Sequence, residues 1–438
     1  MTKTARQIAF EILLKIEKDK AYSNLAIDSA VKAFCRNSTD CAFISRIVYG
    51  VIERKITLDY IISKHLNQPL NRLKLTVLVV LRMGVYQLVF SDKIPESAAV
   101  NESVKLVKNN KCGFAGGLVN AVLRKVANEG FVLSDDLNDA ERFSVVYSAP
   151  KDFVNLLIYH YGTENTENFL KAALEPKKIT IRVNTIKTTT DELINMLVND
   201  GVGVEKTDVN NALYITLNDA VYELDAFKKG LFHVEDISSQ YCIEALAPYP
   251  GCTMIDVCSA PGGKSFTAAE YMENRGQLYS CDIYESRTKL IGDGAKNLGI
   301  DCIRPTVNDG TVFNDSFPMA DRVLCDVPCS GLGIITKKPE IKYKDLDEIK
   351  SLIPIQKKIL DVSSAYVKSG GRLVYSTCSV NPNENRKVCN DFLNNHPEFK
   401  SVKALPHIER AIDEGDYLTL LPGKNNCDGF FIAVFEKE

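Results

Sequence analysis

The 438-residue chain is poor in the side chains that build metal centres, with five histidines and no Cys-x-x-Cys pair. Its thirteen cysteines are an odd number without zinc or disulfide-framework spacing. No metal is expected, and most of these thiols read as small buried hydrophobes. Long uninterrupted apolar runs are missing too. The most apolar stretch, Leu73 to Phe90, carries Arg82 and reads as a buried helix rather than a membrane span. The opening MTKTARQIAF enters an amphipathic pattern at once, without the apolar stretch and cleavage site of a signal peptide. A cytoplasmic protein without membrane association follows, with a monomer as the default. Two nucleotide signatures are also absent. A P-loop needs Gly five residues before the Gly of Gly-Lys-Ser, and Cys258 stands there. The Gly-x-Gly-x-x-Gly fingerprint of dinucleotide binding does not occur.

What is present is a globular composition, 45% hydrophobic and 25% charged, long enough for two or three domains. The net charge of −3 hides an asymmetry. Residues 1–130 carry 20 Lys and Arg against 11 Asp and Glu, a charge of +9, which leaves −12 for the remainder. A basic third on an acidic remainder suggests an appended module for a polyanion. That third reads as helices: Ala5, Ile8, Ala9, Ile12, Leu13 and Ile16 fall on one helical face, as do Leu118, Val119, Val122, Leu123 and Val126. Residues 131–150 are polar and acidic without a strong period and read as a linker. Residues 151–235 read as a small α+β unit, with helical patterns, a strand at Ile179–Asn184 and another near Ala212–Leu217. From 236 to 438, short apolar runs at 254–258, 277–282, 301–307, 321–326, 372–378 and 430–436 alternate with helical stretches. This alternation predicts a mostly parallel sheet with helices on both faces, whose ligands bind beyond the carboxyl ends of the strands.

The first of these strands runs into Cys258-Ser259-Ala260-Pro261-Gly262-Gly263-Lys264. Proline fixes one φ there and two glycines free others, a turn suited to close backbone approach. Asp282 ends the next strand, 19 residues after Gly263, where a carboxylate accepts both hydroxyls of a ribose. Asp309 and Asp326 follow later strands. Each alone could be a helix cap. Together they repel phosphate and suit a ribose-bearing, cationic cofactor such as S-adenosyl-L-methionine.

Two cysteines share this rim: Cys329 in Asp-Val-Pro-Cys-Ser-Gly-Leu-Gly (326–333) and Cys378 in Tyr-Ser-Thr-Cys-Ser (375–379). A thiolate has a specific use beside a methyl donor. Carbon 5 of cytosine is a poor nucleophile, but a thiolate added at carbon 6 makes it enamine-like. Such a cysteine needs a lowered pKa and a group facing the ring nitrogens, a place Asp326 could fill.

The strings DVCSAPGGK (256–264), DVPCSGLG and VYSTCSVNPNEN (374–385) resemble the signature motifs of the RNA 5-methylcytosine methyltransferases. The likeness is to the small-subunit ribosomal RNA branch known as RsmB, Sun or Fmu, and it covers essentially the whole chain. IPESAAVNESVKLVKN (94–109) and GLVNAVLRKV (117–126) resemble that branch's NusB-like RNA-binding domain. HVEDISSQ (233–240) and DGFFIAVFEK (428–437) resemble its entry into the catalytic domain and its last strand. The resemblance implies an all-α NusB-like domain, a small α+β middle domain and a Rossmann-like class I methyltransferase domain. It implies Cys378 as nucleophile, Cys329 as the cysteine that helps release product, and catalytic Asp326. The implied cofactor residues are Cys258 to Lys264, Asp282, Asp309 and Asp326, with Arg287 assisting. Ser259 stands where the family usually has Ala, and Arg386 where an acidic residue is common. The implied partner is 16S (small-subunit) ribosomal RNA. The competing readings are a cytosine methyltransferase acting on tRNA or DNA, and a non-enzymatic NusB-like antitermination factor.

Overall fold

The computed structural model describes residues 3–19, 27, 38–176, 178–217 and 220–438, in two compact units. The expected helical bundle's residues 20–26 and 28–37 lie outside the described residues. The first unit comprises residues 1–174 together with 337–344. Its helix Ala5–Asp19 buries Ile8, Ala9, Phe10, Ile12, Leu13 and Ile16, the face read from the sequence. The apolar helix Leu75–Val89 is buried on most sides, Arg82 included. Arg82 grips Asp59 through two hydrogen bonds of 2.7 Å and reaches Glu17 at 3.1 Å, so its charge is matched inside the unit. No helix among the described residues is long and apolar enough to cross a membrane.

The stretch expected to be a linker contains a helix, Asp139–Val146. Asn138 and Glu141 form a reciprocal capping box at its start, and Phe143 and Val145 are buried. Thr57 donates to the Val145 carbonyl at 2.6 Å, tying this segment to the bundle. Eight residues make two turns, too few to display a period. The Asn-x-x-Glu cap was the legible signal. The helical run Lys151–Ala172, broken at Gly162, also belongs to this unit, which extends to Leu174. Residues 337–344 complete the unit: Lys342 donates to the Glu53 carbonyl at 2.7 Å and Tyr343 to that of Ile52 at 2.8 Å. Burial pulls the Lys342 ammonium down to about 7.

The second unit comprises residues 175–336 and 345–438 and contains two sheets. The smaller is antiparallel, from β1 (Ile179–Val183), β2 (Gly203–Lys206), β3 (Ala212–Thr216) and β4 (Phe232–Val234), in the order β2-β3-β1-β4. Its apolar face packs Ile181, Val183, Leu213, Ile215 and Phe232 with Leu193 and Leu197 of the helix Thr190–Asn199.

The larger sheet has eight strands. They are β5 (Thr253–Asp256), β6 (Gln277–Asp282), β7 (Ile303–Val307), β8 (Ala320–Asp326), β9 (Val367–Thr377), β10 (Phe399–Val402), β11 (Leu418–Leu420) and β12 (Phe430–Lys437). The order is β10-β12-β9-β8-β5-β6-β7, with β11 on β12. Strands β5 to β9 pair in parallel, while β12 lies antiparallel to β9. Central strands are apolar because both faces are covered. Chain order reverses beside β5, whose neighbours are β6 and β8; in sheets of this kind ligands bind at such a point, beyond the carboxyl ends of the strands.

Candidate active site

The turn after β5 is held to its neighbour by Ser259 N–H donating to the Cys281 carbonyl at 2.7 Å. Gly262 has φ 116° and caps the helix Gly263–Tyr271. A Cβ there would meet the Phe266 ring at 2.4 Å, so only glycine fits. Beneath the turn, the buried Asp256 accepts from Ser265 at 2.7 Å. Burial raises its carboxyl to about 7. Ser259 Oγ and Asp256 Oδ1 are buried here without a protein partner, polar capacity that a polar ligand can use.

Asp282 ends β6 and is buried. One carboxylate oxygen accepts from Tyr284 N–H at 3.0 Å, and the other pairs with Arg287 at 3.1 Å. Arg287 also donates to the Ala260 carbonyl at 3.0 Å, locking the turn to the acidic residue. Asp309 lies two residues beyond β7 and is exposed. One of its oxygens closes a local turn on Thr311, at 2.9 Å to N–H and 2.7 Å to Oγ. Asn308 N–H donates to the Asp282 carbonyl at 3.0 Å, which brings this loop beside the first carboxylate.

Asp326, at the end of β8, accepts from Ser376 Oγ at 2.7 Å and pairs with Lys264 Nζ at 2.8 Å. Burial by itself would lower the Lys264 ammonium. The Asp326 carboxylate more than offsets this, and the proton is held more firmly than in a free lysine.

The sulfurs of Cys329 and Cys378 stand 3.2 Å apart. The hydrogen bond from Cys329 draws Cys378 below an ordinary thiol against the opposing effects of burial and the Asp326 charge, and Lys264 adds to the lowering. The same bond, burial and the charges of Glu384 and Asp326 push Cys329 well above. Of the pair, Cys378 is thus the more readily deprotonated thiol and Cys329 the one that holds its proton more firmly. Cysteines in the core behave oppositely to Cys378: burial raises Cys242 and Cys325 to about 12, and Cys258 in the turn after β5 is also raised. The Cys378 loop is closed by Gly333, whose N–H donates to the Cys378 carbonyl at 2.9 Å. A Cβ at Gly333 would lie 1.9 Å from the Gly429 carbonyl.

The sequence reading assigned no role to Glu384, which is fully buried between the two cysteine loops. It accepts from Ser330 N–H at 2.8 Å, Ser330 Oγ at 2.5 Å, Ser379 Oγ at 2.7 Å and Gln356 Nε2 at 3.0 Å. Asn385 supports the same loop, accepting from Thr377 at 2.6 Å and donating to the Ser379 carbonyl at 2.8 Å. The signal in the sequence was a charged residue inside the polar run Asn381-Pro-Asn-Glu-Asn385 immediately after Cys378. The departure at Arg386 leaves the following helix, Arg386–Asn395, in place. Among the described residues, no group of three or more His, Cys, Asp or Glu is arranged to hold a metal.

Comparison with known proteins places three families along the chain. Residues 243–436 match "16S rRNA methyltransferase RsmB/F", residues 3–128 the NusB family, and residues 149–221 the ferredoxin-like domain of RsmF/B-like methyltransferases. The chain is 35% identical to the probable ribosomal RNA small subunit methyltransferase B of Bacillus subtilis, covering 100% of both. A crystal structure of PH0851 superposes with a TM-score of 0.82 at 28% identity, again covering 100% of each chain. NSun6 from Pyrococcus horikoshii, solved with SFG, shares the fold at 22% identity with a TM-score of 0.60, covering 66% of this chain and 98% of that one.

Proposed function

The chain belongs to the ribosomal RNA small subunit methyltransferase B family, and from that premise we propose that it methylates carbon 5 of a cytosine in small-subunit ribosomal RNA through Cys378. One observation carries this reading: a lowered Cys378 thiol, 3.2 Å from the thiol of Cys329. Methylation of an amino nitrogen needs no thiolate, whereas carbon 5 does.

S-adenosylmethionine, when bound, supplies the electrophilic methyl group. The turn Cys258–Lys264 with its unpartnered Ser259 hydroxyl, together with Asp282, suits such a ribose-bearing cation. Asp309, on the adjacent loop, is proposed to complete that acidic rim. SFG, an analogue of this cofactor, accompanies the same fold in NSun6. Cys378 adds to carbon 6 of the cytosine, and the ring's electrons shift to carbon 5. Asp326, anchored by Lys264 and Ser376, accepts from the exocyclic amino group beside N3 and so holds the ring as the adduct forms. Cys329 holds the proton while Cys378 attacks. The carbon 5 proton then leaves to solvent with Cys329 assisting, its C–H electrons restore the carbon 5–carbon 6 double bond, and the carbon 6–sulfur bond breaks to return Cys378 as the thiolate. The helical domain supplies the RNA contacts.

The deciding experiment incubates the protein with methyl-labelled S-adenosylmethionine and unmodified small-subunit ribosomal RNA, then identifies the labelled nucleoside. Label in 5-methylcytidine is expected. Label elsewhere refutes the carbon 5 mechanism, and trapping of RNA on Cys329 instead of Cys378 would move the assignment to the DNA-type nucleophile.

A further inference from the structure

The two reactive loops come from adjacent strands, Cys329 after β8 and Cys378 after β9; the pairing of Asp326 with Ser376 sets the loops side by side, but both sulfurs lie beyond the last paired residues. Three of the four donors on the Glu384 carboxylate are direct neighbours of the cysteines: Ser330 N–H and Oγ follow Cys329, and Ser379 Oγ follows Cys378. The fourth, Gln356 Nε2, also donates to the Pro328 carbonyl at 3.0 Å, on the other side of Cys329. Cys329 is thus gripped on both flanks from one carboxylate, and the same carboxylate grips the Cys378 loop. Ser330 and Ser379 also touch each other, oxygen to oxygen, at 2.9 Å. Tyr375 of β9 fixes the clamp, donating to the Glu384 carbonyl at 2.6 Å.

We propose that Glu384 is a positioning residue that assigns the two thiols unequal roles, holding their loops at hydrogen-bond distance and keeping Cys329 the donor and Cys378 the acceptor. It does so by geometry, through the serine donors, and by charge, since a buried carboxylate beside the Cys329 loop opposes a second negative charge on that sulfur. Neutral packing in its place would leave the spacing soft and both thiols alike. The proposal rests on the reading of Cys378 as the nucleophile, but its alkylation readout does not require RNA.

The test compares wild type with Glu384→Gln in the full-length protein. Iodoacetamide alkylation of each cysteine is followed by mass spectrometry as a function of pH. Glutamine keeps the volume and one acceptor oxygen, and the serine hydroxyls can turn toward its amide. The preference for alkylating Cys378 over Cys329 should fall about tenfold, the equivalent of one pKa unit. The turnover number should fall about 100-fold with KM for RNA nearly unchanged, as expected when reacting groups are misplaced by about an ångström. A purely structural role would lower the folded fraction and leave the alkylation preference and its pH midpoint where they were, and that result overturns the proposal. If Glu384→Gln fails to fold, Ser379→Ala removes a single donor. It must then reduce the preference by a smaller factor, and an unchanged preference again refutes the clamp. A wild type that prefers Cys378 in alkylation, loses that preference in the variant, and yet never labels cytosine leaves the clamp standing and removes the proposed reaction.

Discussion

Arg82 in the helical unit and Lys264 at the rim of the large sheet are both cations taken out of water, yet their surroundings differ in kind. Arg82 meets both oxygens of Asp59 and one of Glu17, and Lys55 neutralises Glu17 in turn at 2.8 Å. Its fork is matched bidentately within the bundle, as guanidinium geometry favours. Lys264 has one carboxylate partner, Asp326, and sits 5.2 Å from the centre of the Phe430 ring. Its charge also reaches the thiol of Cys378. A network closed on itself holds a fold together, whereas a pair left open toward a crevice keeps donors and acceptors in reserve for a ligand. Burial of charge alone does not mark a site; the unspent bonding capacity does.

The comparison can be broken in stages. The largest effect is expected from Cys378→Ala, which should reduce methyl transfer below detection while calorimetry shows nearly unchanged binding of S-adenosylmethionine; retained product would refute the nucleophile. Next come the two cations. Arg82→Met should cost roughly 1–3 kcal/mol of stability by removing the guanidinium donors from the half-buried Asp59 and Glu17, with the rate per folded molecule unchanged. Lys264→Met should instead lower the rate by about 100-fold or more. Thermal melts and single-turnover rates on the same samples separate the two, and a matching pattern in both variants would erase the distinction drawn above.

Cys329→Ala sharpens the assignment of the thiols. Because Cys378 is depressed in the folded protein, its thiolate is present above its folded pKa and lost as pH falls through that value. Without the Cys329 donor that pKa rises, so the rising limb of the rate–pH profile should move to higher pH. Product release should also stall, leaving a protein–RNA adduct visible on a denaturing gel. An unshifted limb with no adduct would leave Cys329 without a role.

A smaller effect is expected on the helical unit. Deleting residues 1–130 would strip Lys342 and Tyr343 of the Glu53 and Ile52 carbonyls, so charge is better tested by substitution. Lys105, Lys108, Lys111 and Lys125 are exposed. Changing those that touch RNA to Gln should flatten the salt dependence of binding by about 0.7 in log–log slope for each phosphate left without its cation. An unchanged slope would mean the basic excess lies idle.

The last effect is read in stability alone and concerns Asp256. Its carboxyl, raised to about 7, keeps a proton that the unfolded chain releases near pH 4, so the group costs stability progressively as pH rises between those values. Asp256→Asn removes that cost. The Tm of the variant relative to wild type should climb from about pH 4 to about pH 7 and then level off, and a difference independent of pH would exclude a raised carboxyl.

Much of the catalytic sheet was legible because a strand announces itself locally. The run 277–282 became β6 without a shift, and the last strand was placed at 430. The short strands β10 and β11 were missed, being three or four residues long and without a distinct pattern. At the site, Asp282, Asp326, Cys329 and Cys378 could be singled out because each stands at or just past the end of a strand. Arg287 was only suspected, since its use depends on the Ala260 carbonyl, 27 residues away.

The sequence by itself determined the longer elements: which long segments are helical, which are strands, where glycine permits the turn after β5, and which cysteines fall at strand ends. These follow from periodicity and backbone freedom, and both are properties of neighbouring residues. Tertiary structure alone decided that Cys329 and Cys378 stand 3.2 Å apart, that Glu384 joins their loops, and that residues 337–344 complete the helical unit. These depend on strand order and on the register of β8 against β9, where a one-residue slip would turn each side chain to the opposite face. No local pattern records that register, because it is fixed by what the assembled sheet can bury.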